Sequence, residues 1–112
     1  MEDHQLFPAA SRTMNDKKAA LAPDNVAAWR NFSKTVFTAG ALSEKTKQLI
    51  AVAVAHVTQC PYCIRAHTNG ALNKGASKEE IMEAIWVAAE MRAGAAYAHA
   101  NIAMDEMDEA TR

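Results

Sequence analysis

The residues able to do chemistry gather in one stretch, Cys60-Pro61-Tyr62-Cys63-Ile64-Arg65-Ala66-His67. The two cysteines are the only ones in the 112-residue chain, so its thiol chemistry, if it has any, is located here. On a helix begun at residue 61, a rotation of 100° per residue sets Cys60, Cys63 and His67 within an arc of about 60°. A thiol attacks only as its thiolate, and a free one, with a pKa of about 8.5, is mostly protonated at neutral pH. The unpaired N–H groups of a helix N-terminus and a neighbouring imidazolium both lower that pKa. The three-residue spacing also lets the pair close into a small disulfide across one turn. Cys60 has the better helix-end position, while Cys63 lies nearer His67 in the chain and is favoured as the thiolate beside the base. Two other readings stay open at this level. The cysteines could be inert on an alanine-rich helix, or C-x-x-C-x-x-x-H could hold zinc with His56 as a fourth ligand. Structural zinc takes its paired ligands from tight loops, whereas Pro61 and the helical period point to a rigid helix, so no metal is expected.

The elements that must position this stretch are helical. Leu6-Phe7 before Pro8 can anchor an N-terminal arm, residues 1–22, and Ser11 to Ala22 is expected to form a short helix ending before Pro23. Asp24 is expected to cap the next helix, whose stripe of Val26, Trp29, Ser33, Val36 and Phe37 runs to a stop at Gly40. Ser43 caps a further segment, and from Leu49 to Val57 every residue but His56 is apolar. That run predicts a central helix over 44–58 buried nearly all round, with His56 bonded to a backbone carbonyl. Pro61 suits the first position of the following helix and makes Cys60 its N-cap; this helix runs to about Lys74 and stops at Gly75. Ser77 and Glu80 form a capping box for a helix carrying Ile81, Met82, Ile85, Trp86 and Ala89. Arg92-Ala93-Gly94 predicts a break or kink, and a last helix carries Tyr97, Asn101, Met104 and Met107. The acidic run of about 105–112 sits at the unfavourable end of a helix dipole and is expected to fray.

Composition agrees with a single all-α domain over 1–112. Half the residues are apolar and 25 residues are alanine, the best helix former and among the smallest side chains. A core built on alanine buries little area, so large side chains are expected to bury against a second copy of the chain in a homo-oligomer. The net charge of −1 supplies no basic field for nucleic acid or an anionic membrane. Met1-Glu2-Asp3-His4 lacks the features of a signal peptide, and no apolar run approaches the ~20 residues needed to span a bilayer. A cytoplasmic location is the expectation, and there a C-x-x-C serves redox or metal chemistry more often than structure.

Three segments together resemble the carboxymuconolactone decarboxylase family, and within it the AhpD-like alkylhydroperoxidase branch that keeps the C-x-x-C. They are Leu42-Ser43-Glu44-Lys45-Thr46-Lys47-Gln48-Leu49-Ile50-Ala51-Val52-Ala53, Cys60 to His67, and Gly75-Ala76-Ser77-Lys78-Glu79-Glu80-Ile81. The likeness runs from about Asn25 to Tyr97. It implies a compact fold of about five to six helices and a trimer or hexamer. It also implies a thiol peroxidase or disulfide reductase without cofactor, acting on a small hydroperoxide and renewed by an external thiol or thioredoxin-like reductant. By the same resemblance Cys60 and Cys63 are the redox pair and His67 the base that helps deprotonate them. A glutamate of the proton relay usually stands twelve residues before the first cysteine; this chain has Gln48, which cannot take up a proton. The 44–58 helix is expected to present Gln48 to the thiols. Glu44, one turn earlier, is a candidate substitute, and Tyr62 stands between the cysteines where some relatives have histidine. A decarboxylase-like activity, or a non-catalytic oligomeric stress-response protein, would use the same scaffold differently.

Overall fold

A computed structural model describes residues 6–111, so the N-terminal tetrapeptide, the start of the arm and Arg112 lie outside the described residues. The described residues form six helices and no strands: α1 (Arg12–Leu21), α2 (Pro23–Phe37), α3 (Glu44–Thr58), α4 (Pro61–Asn73), α5 (Lys78–Ala98) and α6 (Ala100–Ala110). The all-α expectation holds.

Four N-termini follow local chemistry. Ser11, Ser43 and Ser77 each accept a backbone N–H with the side chain, and Ser77 and Glu80 complete the reciprocal capping box. Cys60 caps α4, with Pro61 at its first position. The start of α2 differs from expectation. Pro23, not a residue after Asp24, opens it, and Ala22 is the cap without a side-chain bond. Proline's fixed φ already suits the first helical position, so Asp24 falls inside the first turn, where its charge faces the positive end of the dipole.

Helix α3 lies at the centre, packed on α4 and α5. Val52, Ala71, Ala76 and Ile81 form the buried core, with Leu49 and Ile85 packed against it. Two alanines among four core residues allow close helix approach but bury little area. The central helix is therefore not buried all round: Val52 and Ala55 are enclosed, while Ile50 and Val54 remain 47% and 53% exposed. Within one chain, α3 has neighbours on only part of its circumference.

The other boundaries are set by tertiary bonds. α2 stops at Phe37, three residues before Gly40, because Lys47 Nζ donates to the carbonyls of Val36 (2.8 Å) and Thr38 (2.6 Å). These bonds satisfy acceptors at the helix end and hold it against α3. α5 passes through Arg92-Ala93-Gly94 without a break, since a helical glycine costs only about 1 kcal/mol and α5 packs along α3. Arg92 Nη1 also donates to Val57 O at 3.0 Å, tying the two helices together. The break falls at His99 instead, so Tyr97 belongs to α5. The acidic run expected to fray is helical through Ala110, with Thr111 Oγ1 donating to the carbonyls of Met107 and Asp108.

Candidate functional site

Helix α3 ends on Gln59 in the left-handed region (φ 57°, ψ 46°), whose N–H donates to Ala55 O. This turn returns the chain sharply, and Pro61 starts α4 two residues later. Cys60 thus takes the N-cap position in extended conformation, and the backbone N–H of Cys63 donates to Cys60 Sγ at 3.2 Å. The sulfur occupies the place of a serine oxygen at a helix N-terminus, where negative charge is stabilised.

The two thiols are not equivalent. Cys60 is held below the usual thiol range, first by the Cys63 side chain as donor and then by the backbone N–H groups of Cys63 and Tyr62. Cys63 is pushed up, by its bond to Cys60, by burial and by the charge on its neighbour. Of the two thiols, Cys60 is therefore the more acidic. Proximity to His67 in the chain favours Cys63, but the Cys60 sulfur at the cap receives the N–H groups of both Cys63 and Tyr62, whereas burial and the bond to Cys60 outweigh the single N–H at Cys63.

Cys63 and His67 line one side of a cleft of about 520 Å³ between α3 and the end of α2. Phe37, Ile50 and Val54 make its apolar wall, and Lys47 and Thr58 add polar groups. Among the described residues no hydrogen bond joins the imidazole to either sulfur. The Phe37 ring stacks on His67, with centroids 4.9 Å apart and planes 21° apart. Burial lowers the pKa of His67, so the imidazole is neutral at pH 7. Its Nδ1 donates to Gln48 Oε1 at 2.8 Å, which places the ring proton on Nδ1 and the basic lone pair on Nε2. The central helix was expected to present Gln48 to the thiols; its amide is bonded to the imidazole instead.

The remaining sequence candidates lie elsewhere. The carboxylate of Glu44 pairs with Lys74 Nζ at 3.0 Å, tying the start of α3 to the end of α4 and away from His67. Tyr62 and Cys63, adjacent on α4 and so about 100° apart, line different cavities. Tyr62 meets Phe7 edge-on, with centroids 6.0 Å apart, and lines a separate cavity of about 580 Å³ under the arm. His56 Nδ1 donates to Val52 O at 2.8 Å, the backbone bond expected of it. Among the described residues, no three His, Cys, Asp or Glu side chains gather into a group that could hold a metal. Sequence reasoning missed Phe37, Lys47 and Gly70. Gly70 lies under the Gln48 amide, and its signal was a glycine inside a helix, three residues after His67.

A helical bundle with a dithiol at one helix N-terminus and an imidazole on the same helix defines a class of cysteine-bearing all-α proteins. The carboxymuconolactone decarboxylase family model matches residues 23–106, and the chain belongs to that family. Uncharacterized protein 4 in the cox locus of Paracoccus denitrificans is 59% identical over 104 residues, covering 92% of each chain. A solved structure from Methanobacterium thermoautotrophicum is 36% identical, with TM-score 0.70 over 74% of this chain and 93% of its own. A carboxymuconolactone decarboxylase family protein from Legionella pneumophila is 30% identical, with TM-score 0.69 over 89% of each. A Thermotoga maritima family member with a suggested part in the antioxidative response is 28% identical, with TM-score 0.55 over 73% of this chain and 94% of its own.

Proposed function

We propose that the chain is a thiol-dependent alkylhydroperoxidase and disulfide oxidoreductase of the AhpD-like kind. The observation that carries this reading is the Cys60 sulfur at the N-cap of α4, bonded to the Cys63 N–H with its acidity raised. In the first step the Cys60 thiolate attacks the distal oxygen of a hydroperoxide. The S–O bond forms as the O–O bond breaks, leaving Cys60 as a sulfenic acid and the substrate as an alkoxide that is protonated to the alcohol. In the second, Cys63 loses its proton through water to Nε2 of His67 and attacks the Cys60 sulfur. The disulfide forms, and the departing hydroxide takes the proton back from His67 and leaves as water. An external dithiol then reduces the bond and restores both thiols. Gln48 orients the imidazole without exchanging a proton, so the relay ends at His67. The suggested antioxidative part of the Thermotoga maritima relative supports the same reading.

Stopped-flow oxidation of the reduced protein by an organic hydroperoxide tests it. Two thiols should be lost rapidly at neutral pH. Cys63→Ser should stop at a Cys60 sulfenic acid, trapped by a dione probe and seen by mass spectrometry, and Cys60→Ser should lose the fast phase. Slow thiol loss with an apparent pKa of about 8.5, that of a free cysteine, would overturn the proposal.

A further inference from the structure

We infer that Gly70 is a positioning residue for His67: the empty space at its Cα is what admits the Gln48 amide to the imidazole. His67 and Gly70 are three residues apart on α4 and share a face. Gln48 projects from α3 and passes over that face to reach Nδ1. A Cβ built on Gly70 would lie 2.5 Å from Gln48 Oε1, 2.8 Å from its Cδ and 3.2 Å from its Nε2. The first two distances are shorter than real Cβ atoms show, so a side chain at residue 70 and the present Gln48 rotamer exclude each other.

Nothing else at this position calls for glycine. Among the described residues, the glycine with positive φ is Gly75, at the end of α4, whereas Gly70 is helical. A glycine in a helix interior weakens the helix relative to alanine. The position therefore gives up helix stability for room, and the room is filled by the amide. The crowded atoms are the far end of a flexible side chain, so a methyl at residue 70 displaces the amide while leaving both helices in place. Without the acceptor at Nδ1, the neutral imidazole can carry its proton on Nε2, and the lone pair is lost from the atom that serves as base.

The inference rests on the proposed thiol chemistry for its consequence but not for its test. The test is ¹⁵N NMR of the His67 tautomer in the reduced full-length protein at pH 7.5, for Gly70→Ala, Gln48→Ala and the double variant. The parent should show the Nδ1–H form. Gly70→Ala and Gln48→Ala should each move His67 toward Nε2–H, and the double variant should match Gln48→Ala, because Gly70 acts through that side chain. Gly70→Ala should also melt no lower than the parent, which separates loss of position from loss of fold. Closure of the Cys60–Cys63 disulfide after hydroperoxide oxidation of Cys60 should slow by about tenfold in the single variants, a part of what a positioned base contributes. An unchanged tautomer in Gly70→Ala, or a further shift in the double variant beyond Gln48→Ala, would overturn the assignment. A tautomer shift in a protein whose parent does not react with peroxide would uphold the positioning role and reject the peroxidase reading.

Discussion

At the residue scale, Gln48 decides the character of His67. A glutamate in its place would hold an imidazolium by an ion pair, whereas the amide accepts from Nδ1 without a charge and burial then keeps the ring neutral. The sign of the pH dependence follows. The folded pKa of His67 lies below its ordinary value of 6.5, so in the window between the two the unfolded chain binds more protons. The stability His67 contributes is full above about pH 6.5 and is lost as pH falls through the folded value. Gln48→Glu should reverse this. The carboxylate would raise the His67 pKa, and the added stability would be present at low pH and lost as pH rises through the new, higher value. Urea unfolding at several pH values between 5 and 8, with His67 followed by NMR, checks both slopes; parallel profiles for the two proteins would refute the argument.

At the element scale, the site depends on how helices end. The α3–α4 turn places Cys60 at the cap only because Gln59 adopts a left-handed conformation, which costs a residue with a Cβ about 1 kcal/mol or more. Gln59→Gly should relieve that strain and raise stability by about 0.5–1 kcal/mol, read from the urea midpoint at unchanged slope, with the thiols unaltered. A drop in stability would show that the Gln59 side chain contributes something its conformation does not reveal. The C-terminus of α2 is held by Lys47, and that clamp sets Phe37 over the imidazole. No local pattern marks this lysine, because its acceptors are nine and eleven residues away. The capping serines and Pro61, by contrast, act within one turn and were legible directly.

The whole molecule is more extended than one chain of this length should be. Its radius of gyration is 19.4 Å and its extents are 62 × 38 × 35 Å, against about 13 Å for the radius of a compact domain of this size. Its accessible surface is 8997 Å², against about 6000 Å² for a folded monomer of 12.1 kDa. The exposed area carries Trp86, Val87 and Met91 on one stretch of α5, and Trp29 and Phe32 on α2. This excess supports the proposal that the chain assembles with copies of itself, as a trimer or hexamer. Trp86 is 68% exposed in the single chain, and burying it would contribute about 2 kcal/mol per subunit. Trp86→Glu should therefore shift the assembly toward monomers at micromolar concentration, measured by light scattering after size exclusion. A monomeric parent, or an assembly unaffected by the charge, would count against it.

Among the described residues, no helix is long and apolar enough to cross a membrane, as the sequence also indicates. The all-α class and the seating of Cys60 at a helix N-terminus could likewise be derived from the chain alone. Helical period, proline, serine and alanine act over a few residues, and their effects survive in any tertiary setting. Where α2 stops and how Gln48 meets His67 depended on packing between helices. Each rests on a contact that spacing cannot register: a lysine reaching back to another helix, and an amide passing over a glycine 22 residues further along the chain. The dithiol was visible as a motif; the unequal acidity of Cys60 and Cys63 and the orientation of His67 by Gln48 came only with the tertiary structure.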